Sequence, residues 1–133
     1  MKNFKNKVAA ITGAGSGMGQ QLAILLAKDG CHLSLSDVNE KGLADTVELV
    51  KAYNVRVTSK KVNVAKLEEI KAWAADTVQN HGSVNMIFNN AGVALGSTVE
   101  GANYEDLEWI MGINYWGVVY ADDTTFTRLL KGI

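Results

Sequence analysis

The sequence predicts an α/β fold in which a parallel sheet is covered by helices on both faces, making three layers. Short apolar runs alternate four times with stretches of helical period, the pattern of a parallel sheet with crossover helices. The first run, Val8 to Thr12, is apolar up to its last residue and suits a strand buried on both faces. Gly13, Gly17 and Gly19 then join that run directly to an amphipathic helix.

Each element follows in order. From Gly19 onward, Leu22, Ala23, Leu25, Leu26 and Ala27 recur at helical spacing, and Asp29-Gly30 is a good helix stop. Cys31 to Ser36 forms the second strand, with Asp37 at its end. Asn39 is placed to cap a helix over Glu40 to Tyr53, whose Leu43, Val47 and Val50 share a face. Val55 to Val62 is a third strand with Val55, Val57 and Val62 inward. A third helix runs from Ala65 to His81 with Leu67, Ile70, Trp73, Ala74 and Val78 on one side. Gly82 ends it, and Val84 to Phe88 is the fourth strand. A loop after Gly92 leads to a helix starting near Tyr104, with Leu107, Ile110, Met111, Asn114, Gly117 and Val118 on one stripe.

At 133 residues the chain suits one domain, residues 1–133, and is too short for a separate substrate domain. A formal net charge of −1 with 20% charged residues gives no electrostatic footprint for nucleic acid. No run approaches the ~18 apolar residues of a membrane span. The basic start MKNFKNK lacks the apolar core and cleavage site of a signal peptide, so a cytoplasmic location is expected. The lone Cys31 excludes an internal disulfide and reads as a buried packing residue in a reducing compartment. His32 and His81 have no partners at metal-ligand spacing, so no metal is assigned.

The chemistry begins at the glycine turn. Glycines permit positive φ and close approach of backbone N–H groups to a pyrophosphate, while a helix N-terminus adds unpaired donors and about half a positive charge. The pattern G-x-G-x-x-G fails as written, because Met18 stands where its third glycine is needed; what stands here is T-G-x-x-x-G-x-G. Glycines also serve tight turns and close helix–strand packing. Gln20 and Gln21 replace the Lys-Ser/Thr of a nucleoside triphosphate loop, which favours a dinucleotide. Asp37 follows at roughly the 20-residue interval where an acid accepts both hydroxyls of an adenosine ribose; its plainer reading is a turn carboxylate. An acid there repels a 2′-phosphate, so NAD is favoured over NADP. If the sheet is of the Rossmann type, its spatial order is 3-2-1-4.

Asn89-Asn90-Ala91-Gly92 follows the fourth strand at its carboxyl end, where open α/β sheets bind ligands. Two amides there tie strand ends together, line a cofactor cleft or make a simple turn. Asn114, on an apolar helix face, needs partners of its own: a held water or a bond to a neighbouring strand. Trp109, Tyr115, Trp116 and Tyr120 are bulky enough to suggest packing against another chain or a further segment.

Together these motifs resemble the short-chain dehydrogenase/reductase family, over residues 5 to about 120. The resemblance implies that Gly13, Ser16, Gly17, Met18 and Gly19 lie along the adenosine and pyrophosphate, that Asp37 meets the ribose, and that Asn90, Ala91 and Gly92 lie near the nicotinamide. It implies that Asn114 matches the asparagine of an Asn-Ser-Tyr-Lys catalytic tetrad, and that the chain self-associates through its last helix. Asn63 stands where the family usually has an acid that meets the adenine amino group; an amide oxygen can still accept from it. Tyr53, Tyr104, Tyr115 and Tyr120 are followed four places later by Val57, Glu108, Val119 and Thr124, so no Tyr-x-x-x-Lys is present. The chain therefore reads as the cofactor-binding half of such an enzyme, inactive alone. A different reading is a non-catalytic dinucleotide-binding or self-associating module.

Overall fold

A computed structural model describes residues 4–92 together with Glu105 and Glu108. The strands are β1 (Val8–Ile11), β2 (His32–Asp37), β3 (Val57–Lys61) and β4 (Met86–Phe88), and the helices are α1 (Gly17–Lys28), α2 (Glu40–Val50) and α3 (Leu67–His81). The strands pair in parallel in the order β3-β2-β1-β4, as the alternation of elements predicts.

The two faces of the sheet carry separate cores because side chains alternate along each strand. Ala9, Ile11, Leu33 and Leu35 pack with Ala23, Leu26 and Ala27 of α1 and with Leu43 and Val50 of α2. On the other face Ala10, Val62 and Val64 meet Ile70, Trp73 and Ala74 of α3. Three layers result. Cys31 is fully buried, and burial pushes its thiol up to about 11, so it stays protonated at neutral pH.

Helix ends follow local chemistry. Asn39 accepts from the Gly42 N–H at 3.1 Å and caps α2, while Gly30 and Gly82, both at φ +81, terminate α1 and α3 in the left-handed backbone region. Several boundaries differ from expectation. Helix α2 stops at Val50 and tightens into a 3₁₀ turn over Lys51–Tyr53, because Asn54 takes a left-handed φ of 56°. The edge strands shorten to Val57–Lys61 and Met86–Phe88, where pairing on one side only is available among the described residues. Helix α1 starts two residues earlier, at Gly17, and Leu25 faces outward at 59% exposure although its spacing fits the apolar stripe. The expected helix carrying Leu107 to Val118, with Asn114, lies outside the described residues.

Candidate functional site

At the carboxyl ends of the strands, the turn after β1, the end of β2 and the segments after β3 and β4 enclose one cavity of about 460 Å³. Gly13, Ser16, Gly17, Met18, Asp37, Asn63, Asn90, Ala91 and Gly92 all line it, joined by Val38, Val62 and Val64. Nine of the residues singled out from the sequence thus share one wall system. Gly19 does not line it, and Asn114 lies outside the described residues.

The glycines of the turn serve different ends. Gly13 has φ +65, and a Cβ added there would lie 2.9 Å from the Ala91 Cα, so the turn presses against the chain leaving β4. Gly17 has φ +54 with open space around it: the backbone conformation demands glycine, and the floor of the cavity stays bare. Gly19 is buried behind the turn, where a Cβ would collide with the Gly13 carbonyl and approach Asn90 Nδ2 at 2.6 Å. Its role is packing that lets α1 start directly beneath the turn. Ser16 is the extended residue before α1 and makes no side-chain cap bond; no acidic residue occupies the first turn. The helix therefore presents unopposed N–H donors and its positive end to the cavity, which suits an anion.

Asp37 is fixed from two sides. Oδ2 accepts the Gly15 N–H at 2.7 Å, and Oδ1 accepts the Asn39 N–H at 3.0 Å. Gly15 has no side chain because a Cβ would stand 2.7 Å from that same Oδ2. Each carboxylate oxygen keeps lone pairs for a further donor, so a diol resting beside Asp37 finds two oriented acceptors.

Across the cavity, Asn90 Nδ2 donates to the Gly13 carbonyl at 3.2 Å and the Ala91 N–H donates to Thr12 Oγ1 at 2.9 Å. Asn90 thus acts as a strand tie, fastening the end of β4 to the glycine turn. Asn63 reaches the wall with Oδ1 already accepting the Ala65 N–H at 3.0 Å, while its own N–H donates to Glu69 Oε1 at 3.0 Å. Acceptance from an adenine amino group would use the second lone pair of that oxygen.

Sequence reasoning missed Thr12 and Thr46. Thr12 is 2% exposed and bridges β1 to the chain beyond β4. Thr46 is fully buried, and its hydroxyl sits 2.7 Å from the Ala14 carbonyl and 3.0 Å from Gln20 Nε2. The available signal was a polar residue inside the apolar stripe of Leu43, Val47 and Val50. Among the described residues no group of three metal-ligating side chains exists, and no helix is long and apolar enough to cross a membrane.

Comparison with known proteins fits this geometry. The chain is 43% identical over 119 residues to SadH of Mycobacterium tuberculosis, covering 90% of this chain and 43% of that protein. It is 36% identical over 120 residues to a cyclohexanol dehydrogenase of Acinetobacter, covering 89% of this chain and 47% of that one. A crystal structure of a short-chain dehydrogenase/reductase from Burkholderia phymatum in complex with NAD superposes with a TM-score of 0.94 at 36% identity, covering 99% of this chain and 47% of the other. The chain spans less than half the length of the curated relatives it matches. The family model for short chain dehydrogenases matches residues 7–132, and the chain belongs to that family of oxidoreductases.

Proposed function

We propose that this chain is the dinucleotide-binding portion of a short-chain dehydrogenase/reductase-type oxidoreductase, and that its cofactor is NAD in preference to NADP. The observation that carries the reading is a single cavity bringing together a bare glycine turn on a helix N-terminus and a carboxylate held by two backbone N–H groups. The turn suits the pyrophosphate and Asp37 the adenosine diol; a 2′-phosphate would stand against the Asp37 charge. Asn90, Ala91 and Gly92 form the wall toward the nicotinamide end. When bound, NAD supplies the hydride acceptor for oxidation of an alcohol carbon, or in reduced form the donor to a carbonyl.

Catalysis by this family's chemistry needs a tyrosine whose phenol is acidified by a nearby lysine ammonium. None of the four tyrosines in the 133-residue chain has a lysine four places on. The chain alone therefore binds cofactor without turning it over, and Asn114 would contribute only part of a proton path.

Calorimetric titration of the purified chain with NAD and NADP, alongside an absorbance assay for reduced nicotinamide with a panel of alcohols, tests both halves of the reading. Binding of NAD, weaker binding of NADP and a flat absorbance trace are expected. Absence of heat at millimolar NAD overturns the dinucleotide reading and leaves the interaction-module alternative; turnover well above background overturns the claim of inactivity alone.

A further inference from the structure

Thr46 is the most buried hydroxyl near the site, and it joins three parts of the fold. It lies on α2, fully buried, with Oγ1 at 2.7 Å from the Ala14 carbonyl, 3.1 Å from the Gly42 carbonyl and 3.0 Å from Gln20 Nε2 on α1. A hydroxyl has one proton and two lone pairs. The Gln20 amide nitrogen only donates, so Thr46 accepts there and has one proton for a carbonyl. The shorter distance directs that proton to Ala14 rather than to Gly42, the usual in-helix partner of a threonine.

The Ala14 carbonyl and the Gly15 N–H are two ends of one peptide group, which is planar and turns as a unit. Thr46 holds the carbonyl end at 2.7 Å, and Asp37 Oδ2 receives the N–H end at 2.7 Å. Rotation of that plane would swing the N–H off Asp37 and leave the carboxylate with only the Asn39 N–H to orient it. We propose that Thr46 is a positioning residue: by fixing the Ala14–Gly15 peptide it fixes the Asp37 carboxylate, and so sets how strongly the site prefers a nucleotide with an intact ribose diol. The proposal rests on the dinucleotide reading above.

A purely structural threonine would weaken all nucleotides alike when replaced, whereas a positioning threonine alters one contact. The test is calorimetry of the 133-residue chain with ADP and 2′-deoxy-ADP, on the wild type, Thr46→Val and Thr46→Ser. The wild type is expected to prefer ADP by about tenfold. In T46V that preference falls to about twofold or less, with little change in 2′-deoxy-ADP affinity, and T46S restores it. Hydrogen exchange of the Gly15 amide gives a ligand-free readout, expected about tenfold faster in T46V and near wild type in T46S.

A T46V chain that keeps the full preference, or loses affinity for both nucleotides equally, overturns the proposal, as does a T46S chain that loses the preference. Should T46V not fold, T46A carries the same comparison, and the serine variant still decides. A wild-type chain that binds neither ADP nor NAD overturns the dinucleotide reading itself; a wild type that prefers ADP beside a T46V that prefers it equally sinks only the role of Thr46.

Discussion

The carboxylate of Asp37 has its orientation set before any ligand arrives, since two backbone N–H groups meet its two oxygens at 2.7 and 3.0 Å. Hydrogen bonds to an ionised group contribute about 1.5–3 kcal/mol each, far above the few tenths expected of an exposed ion pair such as Lys51–Glu48. Asp37→Asn should therefore act on both recognition and folding, lowering stability by about 1–3 kcal/mol through the bond it loses. Its amide NH2 would face one of the two backbone N–H groups, donor against donor, so one bond is lost and the end of β2 loses its fixed acceptor pair. We expect NAD affinity to fall about tenfold and NADP affinity to change less, because the negative charge opposing a 2′-phosphate is gone. Calorimetry with both cofactors checks this, and an unchanged NAD-to-NADP ratio would refute the assigned role. At this scale the sequence was readable where residue type and interval coincide, as at Asp37, Gly13 and Gly17. It was not readable at Thr12 and Thr46, whose partners lie across the fold at Ala91 and Ala14. A polar residue within the apolar stripe of α2 marks Thr46 as buried, but no local pattern names the distant partner of either residue.

Helix α3 shows how an element is held on the sheet by apolar area and one polar network together. Trp73 is 1% exposed and sits against β2. Burying an aromatic side chain of about 150–250 Å² at about 25 cal/mol per Å² gives an upper bound of about 4–6 kcal/mol. Its indole N–H donates to Ser34 Oγ at 2.9 Å, Ser34 lies 2.6 Å from Thr77 Oγ1, and Thr77 donates to the Trp73 carbonyl at 2.8 Å. With the Thr77 proton used on that carbonyl, Ser34 donates to Thr77 and accepts from Trp73, so each hydroxyl in the loop has both a donor and an acceptor. Ser34→Ala removes the buried hydroxyl that accepts from the indole N–H and should cost about 1–3 kcal/mol. A urea midpoint unchanged from wild type would show the network to be dispensable. Periodicity located α3, because Ile70, Trp73 and Ala74 are spaced for one face. It missed that Thr77 and His81 continue the buried face, since polar residues interrupt an apolar count while still being buried and paired. The edge strands are shorter than their apolar runs for a related reason: Val55 and Val84 are apolar and packed, yet apolarity alone does not supply a pairing neighbour.

At the end of the sheet opposite the cavity, His81 links the stability of the whole molecule to pH. It closes α3 with its ring buried, Nε2 at 2.8 Å from Thr58 Oγ1 on β3, and Nδ1 without a hydrogen-bond partner among the described residues. Burial first, then the positive charge of Arg56 and the neighbouring His32, lower its pKa below the ordinary 6.5. The sign follows from linkage. The unfolded chain takes up this proton near 6.5, whereas the native chain resists it, so between the two values the unfolded state holds more protons and stability rises with pH. Stability from a neutral His81 is therefore complete above the unfolded value, declines as the pH drops below it, and levels off once the native value is passed. The C-terminal position in α3 favours a cation and opposes the shift, but burial is its largest cause. His81→Gln keeps a polar group for Thr58 and removes the titration. Urea unfolding of both proteins at intervals from about pH 7.5 to 5.5 should show the wild type losing stability over that span and the variant losing less. Equal slopes would mean that the acid sensitivity of this fold resides elsewhere, whereas a flatter slope in the variant would tie it to the β3–α3 contact, and so to the strand that leads into Asn63 and the far wall of the cavity.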